Sequence, residues 1–149
     1  MGCCFSEEEI TMTAITLAEY KTIKPFSPVI KYGKAVKVYD GDTIWVAASP
    51  EGMINKPVYR FNIRMFGYDS PELKSKNSQE KEAAIRARDA LEGLLKNKIL
   101  RIEQCEKIDK YGRILATIYI GDSNKSVNDW MVANGHGYPY NGGTKKTFI

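Results

Sequence analysis

An α+β fold is predicted: a five-stranded barrel of the OB type with two helices packed on it. Three observations predict it. Five short runs of alternating apolar and polar residues follow one another with turn residues between them. A single amphipathic helical stretch separates the third run from the fourth. A shorter helical stretch follows the fifth, and five strands in that order fit a small, partly open barrel.

The first run begins at Val29-Ile30 and resumes at Ala35-Val36-Lys37-Val38-Tyr39. Asp40-Gly41-Asp42 then breaks it, since Asp and Gly are turn formers. Thr43-Ile44-Trp45-Val46-Ala47 is the second strand, closed by Ser49-Pro50-Glu51-Gly52. The third runs from Val58 to Phe66 and ends at Gly67. Asn77, with Glu80 three residues on, has the form of a capping box opening a helix. Ala84, Ala87, Leu91, Leu94 and Leu95 share one face of that helix, which runs to about Lys96. Ile99 to Glu103 is the fourth strand and Ile114 to Ile120 the fifth. Val127 to Ala133 is a short second helix, stopped by Asn134-Gly135. The domain is therefore expected over residues 29–140, between a tail or linker over 1–28 and a second tail over 141–149.

The chain has 149 residues, room for one domain and its tails. Its charge is uneven. Residues 1–30 hold four acids and two bases, so residues 31–149 hold the other 20 bases and 14 acids, a net charge of +6. A basic body suits a polyanionic partner. Three cysteines, two of them adjacent, form no disulfide framework and point to a reducing compartment. His136 is the only histidine, so neither a Cys/His zinc cluster nor paired-histidine chemistry is available. Any phosphodiester chemistry must run on carboxylates, arginines and a hard cation.

The chain starts Met-Gly-Cys-Cys-Phe-Ser. That is the pattern for myristoylation at Gly2, with Cys3 and Cys4 as palmitoylation sites beside it. Two acyl chains hold a protein to a bilayer where one does not. The expectation is an intracellular protein, peripherally anchored by N-terminal lipids. There is neither a secretory h-region nor an apolar run long enough to span a membrane.

Three loci carry groups for phosphodiester cleavage, which needs a prepared water and stabilisation of the transition-state charge. Asp40-Gly41-Asp42-Thr43 puts two acids on a tight turn. Arg64 ends a strand whose following loop offers Asp69, Ser70 and Glu72, with Pro71 stiffening it. Arg60 shares Arg64's strand face and is the rival cation, but it lies four residues further from the acidic loop. Asp109-Lys110-Tyr111-Gly112-Arg113 is a turn between strands, with Gly112 at positive φ. Together these supply acids for a cation, one more acid for a water, and two arginines for a phosphate.

These strings, in this order and spacing, resemble the staphylococcal nuclease (thermonuclease-like) family. Val127-Asn128 at the start of the second helix fits as well, and the resemblance spans about Ile30 to Tyr140. It implies an OB barrel in which Asp42 and Asp69 ligate Ca²⁺ by side chain and Ser70 by its carbonyl. It implies that Glu72 acts on the attacking water and that Arg64 and Arg113 bind the phosphate. Lys110 and Tyr111 would contact the nucleotide, as would Tyr138 and Tyr140 across a shortened loop. The implied activity is cleavage of DNA and RNA to 3′-phosphate ends. Two departures stand out: the family's long helix after the tyrosine loop is not seen before Ile149, and His136 falls where a non-catalytic imidazole is expected. The competing reading is a nuclease-fold module that only binds nucleic acid or protein. Retention of Arg64, Glu72 and Arg113 favours the enzyme.

Overall fold

The computed structural model describes residues 22, 23 and 26–146; Gly2, Cys3 and Cys4 lie outside them. Five strands close a barrel in the order β1-β2-β3-β6-β5. They are β1 (Tyr32–Val38), β2 (Thr43–Ala48), β3 (Tyr59–Met65), β5 (Leu100–Ile108) and β6 (Ile114–Ile120). All neighbours are antiparallel except β3 and β6, which run parallel from Ile63↔Ile114 to Met65↔Ala116. Helix α1 (Ser78–Leu95) joins the third barrel strand to the fourth, and α2 (Val127–Ala133) follows the fifth. Among the described residues no helix is long and apolar enough to cross a membrane.

Alternation decides which side chains fill the barrel. Ile44, Val46, Ile63, Met65, Leu100, Ile102, Ala116 and Ile118 point inward and are buried. Ala87, Leu91 and Leu95 of α1 and Val127 and Met131 of α2 join the same core. Each large side chain so buried contributes about 1.5–3 kcal/mol. Leu94, also in the predicted helical stripe, packs at the edge of this core.

Four features differ from the sequence-based expectation. The first strand starts at Tyr32; Val29-Ile30 precede it, with Ile30 buried and its N–H donating to Gln104 Oε1 at 2.6 Å. A register shift between Ala35 and Lys37 leaves Val36 facing solvent, so strict alternation fails inside β1. The fourth barrel strand continues to Ile108 past a second register shift. Finally, two-residue strands β4 (Tyr68–Asp69) and β7 (Tyr138–Pro139) pair with each other and were not anticipated. A two-residue strand has no period to detect.

The buried Asn128 ties the layers together. Its Oδ1 accepts from Ile118 N, and its Nδ2 donates to the carbonyls of Phe66 and Ala116. A helix start, a barrel strand and the end of β3 thus meet on one amide.

Candidate active site

Thr43 opens β2 and pairs with Arg64 at the end of β3. Both face outward at the same end of the barrel, and the turn and the acidic loop converge there. Gly41 makes that convergence possible. A Cβ on it would sit 2.7 Å from Ala87 Cβ and 2.8 Å from Ser70 Cβ, so only glycine lets the turn lie against α1 and the loop. The Tyr68 hydroxyl, fully buried, donates to the Gly41 carbonyl at 2.6 Å. Burial, then the nearby Asp42 charge, pushes the Tyr68 hydroxyl well above its usual range, so it stays a donor.

The floor of the site is two buried carboxylates. Asp42 Oδ2 accepts from Ser70 N and Ser70 Oγ, both at 2.8 Å, and Oδ1 accepts from Thr43 Oγ1 at 2.9 Å. Asp69 Oδ1 lies 2.7 Å from Arg64 Nη2, and the same nitrogen is 3.3 Å from Asp42 Oδ2. One cationic atom therefore reaches both carboxylates. Asp40 sits beside them, accepting the Asp42 N–H at 3.1 Å. Burial, with the neighbouring Asp42 charge, raises its carboxyl to about 6.

Arg113 approaches from the other side. Asp109 Oδ2 accepts from Arg113 Nε at 2.5 Å, and Arg113 Nη1 donates to Thr43 Oγ1 at 3.3 Å. Burial raises the Asp109 carboxyl, but hydrogen bonds from Arg113 and from the Tyr111 N–H outweigh it and hold it below its usual value. Gly112 has φ of 75°, as the tight turn requires.

Glu72 stands at the rim, with its side chain 59% exposed. Glu80 steadies its loop: Oε2 accepts from Ser75 Oγ at 2.5 Å, and Ser75 N donates to the Glu72 carbonyl. The predicted capping box is thus only half formed. Asn77 caps Gln79 and Glu80, while the Glu80 carboxylate serves the loop instead of the Asn77 N–H.

Lys145, in the segment read as a tail, reaches back across the cleft. Its Nζ is 3.0 Å from Glu72 Oε1 and 3.4 Å from Asp69 Oδ2. Burial lowers its pKa, but the bond to Glu72 and the Asp69 charge more than offset this. Sequence reasoning missed this residue, which is 73 positions from Glu72 and carries no local signal.

A cleft of about 210 Å³ gathers Asp40, Asp42, Arg64, Asp69, Glu72 and Arg113. It adjoins a larger one, about 740 Å³, lined by Lys110, Tyr111 and Tyr140 among others and sharing Arg64, Asp69, Arg113 and Lys145 with the first. That volume suits a nucleotide. Tyr138 is not among the residues lining either cleft; its hydroxyl donates to Asp69 Oδ2 at 3.1 Å, and it accepts from Lys146 N. His136 stacks on Trp130, ring centroids 5.7 Å apart, and lines neither cleft.

The donor set fits a hard cation. Carboxylate and carbonyl oxygens at Asp42, Asp69 and Ser70 are the ligands such ions take, and the shared contact with Arg64 Nη2 shows that positive charge between them is accommodated. Among the described residues no three His, Cys, Asp or Glu side chains cluster as a metal cage. A cation here would rest on two carboxylates, a main-chain carbonyl and water.

Residues 62–147 match the family model described as staphylococcal nuclease homologue. An uncharacterized protein of Methanocaldococcus jannaschii is 35% identical, over 65% of this chain and 52% of its own length. The thermonuclease of Staphylococcus hyicus is 33% identical, over 59% of this chain and 48% of its own. An uncharacterized endonuclease of Escherichia coli is 30% identical, over 73% and 61%. The chain thus spans about half the length of the first two relatives it matches.

Proposed function

The chain belongs to the family of staphylococcal nuclease homologues, and from that premise we propose that it is a Ca²⁺-dependent nuclease that cuts DNA or RNA to leave 3′-phosphate ends. One observation carries the reading. Two buried carboxylates, two arginines and one exposed carboxylate converge on a single cleft beside a nucleotide-sized one.

Ca²⁺ would be held by Asp42, Asp69 and the Ser70 carbonyl, and would draw charge from the phosphate. Arg64 and Arg113 take the non-bridging phosphate oxygens, and their forks stabilise the charge that builds in the transition state. Asp109 holds the Arg113 guanidinium through Nε and Thr43 holds it through Nη1, which fixes the arginine at the wall of the cleft. Glu72 is the one carboxylate of the set with open access to water, so it takes the proton as that water attacks phosphorus. The bond from phosphorus to the 5′-oxygen breaks, that oxygen takes a proton from solvent water and leaves as a hydroxyl, and the phosphate stays on the 3′ side. Lys110, Tyr111 and Tyr140 contact the nucleotide in the larger cleft. Tyr138 and Lys145 act on the carboxylates, Tyr138 as a donor to Asp69 and Lys145 as a tether on Glu72.

The binding-only alternative has one observation in its favour, the Lys145 ammonium resting on both Glu72 and Asp69. Assay of single-stranded DNA with Ca²⁺ decides between the two. Degradation that stops with EDTA and falls by about 10²-fold or more in Glu72→Gln is expected. Wild type no faster than Glu72→Gln at every Ca²⁺ concentration would leave the binding-only reading.

We also propose acylation of Gly2 with palmitate on Cys3 or Cys4, giving peripheral membrane attachment. Intact-mass measurement after eukaryotic expression tests it, and an unmodified Gly2 removes it.

A further inference from the structure

Of the six arginines in the chain, five lie within 4.0 Å of a carboxylate: Arg64, Arg86, Arg88, Arg101 and Arg113. Among the described residues Arg60 has no such partner. Its guanidinium instead lies 4.6 Å from the ring centroid of Trp45. Arg60 is also the cation that the sequence set against Arg64, and the cleft chemistry leaves it unused.

The strand register shows what surrounds it. On the outer face of the barrel, Thr43 pairs with Arg64 at the active site. Two residues along, Lys37, Trp45 and Asn62 form the next cross-strand row. Two residues further, Lys34, Ala47 and Arg60 form another. Rows two residues apart are about 6–7 Å apart, so Arg60 stands about 13 Å from the Arg64 row along β3. None of these positions is acidic. The small side chain of Ala47 leaves a gap between two cations. Trp45 is only partly buried although it belongs to a barrel strand.

We propose that this face binds single-stranded nucleic acid and leads it into the active site, a base taking the place of the Arg60 guanidinium on the Trp45 ring while Arg60 swings out to join Lys37 as a phosphate contact. Stacking on an aromatic ring combined with flanking cations is how barrel proteins hold single strands without reading their sequence. Paired bases present no open π-face, so a duplex gains only the electrostatic part. The direction toward the cleft rests on the nuclease reading; the binding surface itself does not.

The test separates the two. In EDTA, where no cleavage is expected, full-length protein carrying Trp130→Phe reports on Trp45 alone. Oligothymidylate should quench its fluorescence and a duplex of equal length should not. Trp45→Leu should weaken oligothymidylate binding about 5- to 150-fold, the range for one stacked base. Arg60→Gln, at an exposed position, should reduce the salt slope of binding by about 0.7, one phosphate contact on a single strand. In turnover, Arg60→Gln should raise the KM for long single strands and leave hydrolysis of bis(4-nitrophenyl) phosphate unchanged. Absence of quenching, equal quenching by duplex, or an unchanged salt slope would each overturn the proposal. Quenching and slope as expected, with no cleavage by wild type, would keep the surface and remove the nuclease.

Discussion

Asp42 and Asp69 are 5% and 3% exposed, whereas the Glu72 side chain in the same cleft is 59% exposed. The floor of the site is set into the barrel end, each oxygen held by a hydroxyl, an N–H or a guanidinium. The rim is held by Lys145 and by a loop tied at Ser75. The two buried carboxylates are built at strand ends, and the exposed carboxylate, to which the proposed mechanism gives the water, is placed on a loop. Loss of a floor residue should therefore damage folding and chemistry together, while loss of a rim residue should damage chemistry alone.

The largest expected effect is on the floor. Arg64→Ala leaves two buried carboxylates without their shared cation, and urea denaturation in EDTA should show a loss of about 3–5 kcal/mol. Adding Asp69→Asn to that variant should recover part of it. An Arg64→Ala protein as stable as wild type would erase the distinction between floor and rim.

A smaller effect has the opposite sign. Asp40 titrates at about 6 in the folded chain, against 3.8 for the free side chain. The folded state thus holds this proton more tightly than the unfolded state does. The resulting stabilisation is complete below pH 4 and disappears as pH rises through 6. Asp40→Asn cannot ionise and keeps an oxygen for the Asp42 N–H. It should be more stable than wild type by about 2–3 kcal/mol at pH 7 and indistinguishable at pH 3.5. Denaturation midpoints at the two pH values read this directly.

The smallest belongs to the rim. Lys145→Ala should cost less than about 1 kcal/mol, because half-exposed ion pairs are screened. It should nonetheless tighten Ca²⁺ binding, measured by calorimetry, because a positive charge 3.4 Å from Asp69 has been removed. Unchanged Ca²⁺ affinity would mean that the lysine does not compete for the floor.

The barrel was legible in the sequence because burial on one side of a strand leaves a two-residue period, visible from Thr43 to Ala47 and from Ile114 to Ile120. The charged set was legible because Asp42, Arg64, Asp69, Glu72 and Arg113 all lie at strand ends or in the loops beside them. What escaped has no period and no nearby partner. β4 and β7 are too short to alternate. The bond from Tyr138 to Asp69 spans 69 positions, and that from Lys145 to Glu72 spans 73. Glu80 fitted a capping pattern and was drawn away by Ser75, a competition between two nearby donors that spacing does not decide. The outer face of β1, β2 and β3 was hidden for a different reason: Lys37, Trp45 and Arg60 meet only once strand register is known.

The pairing of β4 with β7 also sets a timetable. Asp42, Arg64 and Asp69 are synthesised early, but Tyr138 and Lys145 leave the ribosome some seventy residues later. Until they do, Asp69 lacks its phenol donor and Glu72 its tether. The parallel partner of β3, beginning at Ile114, also arrives late. A nascent chain therefore carries its acids and arginines for some seventy residues without an assembled site, and the site is completed only as the segment bearing Tyr138 and Lys145 folds back across the cleft.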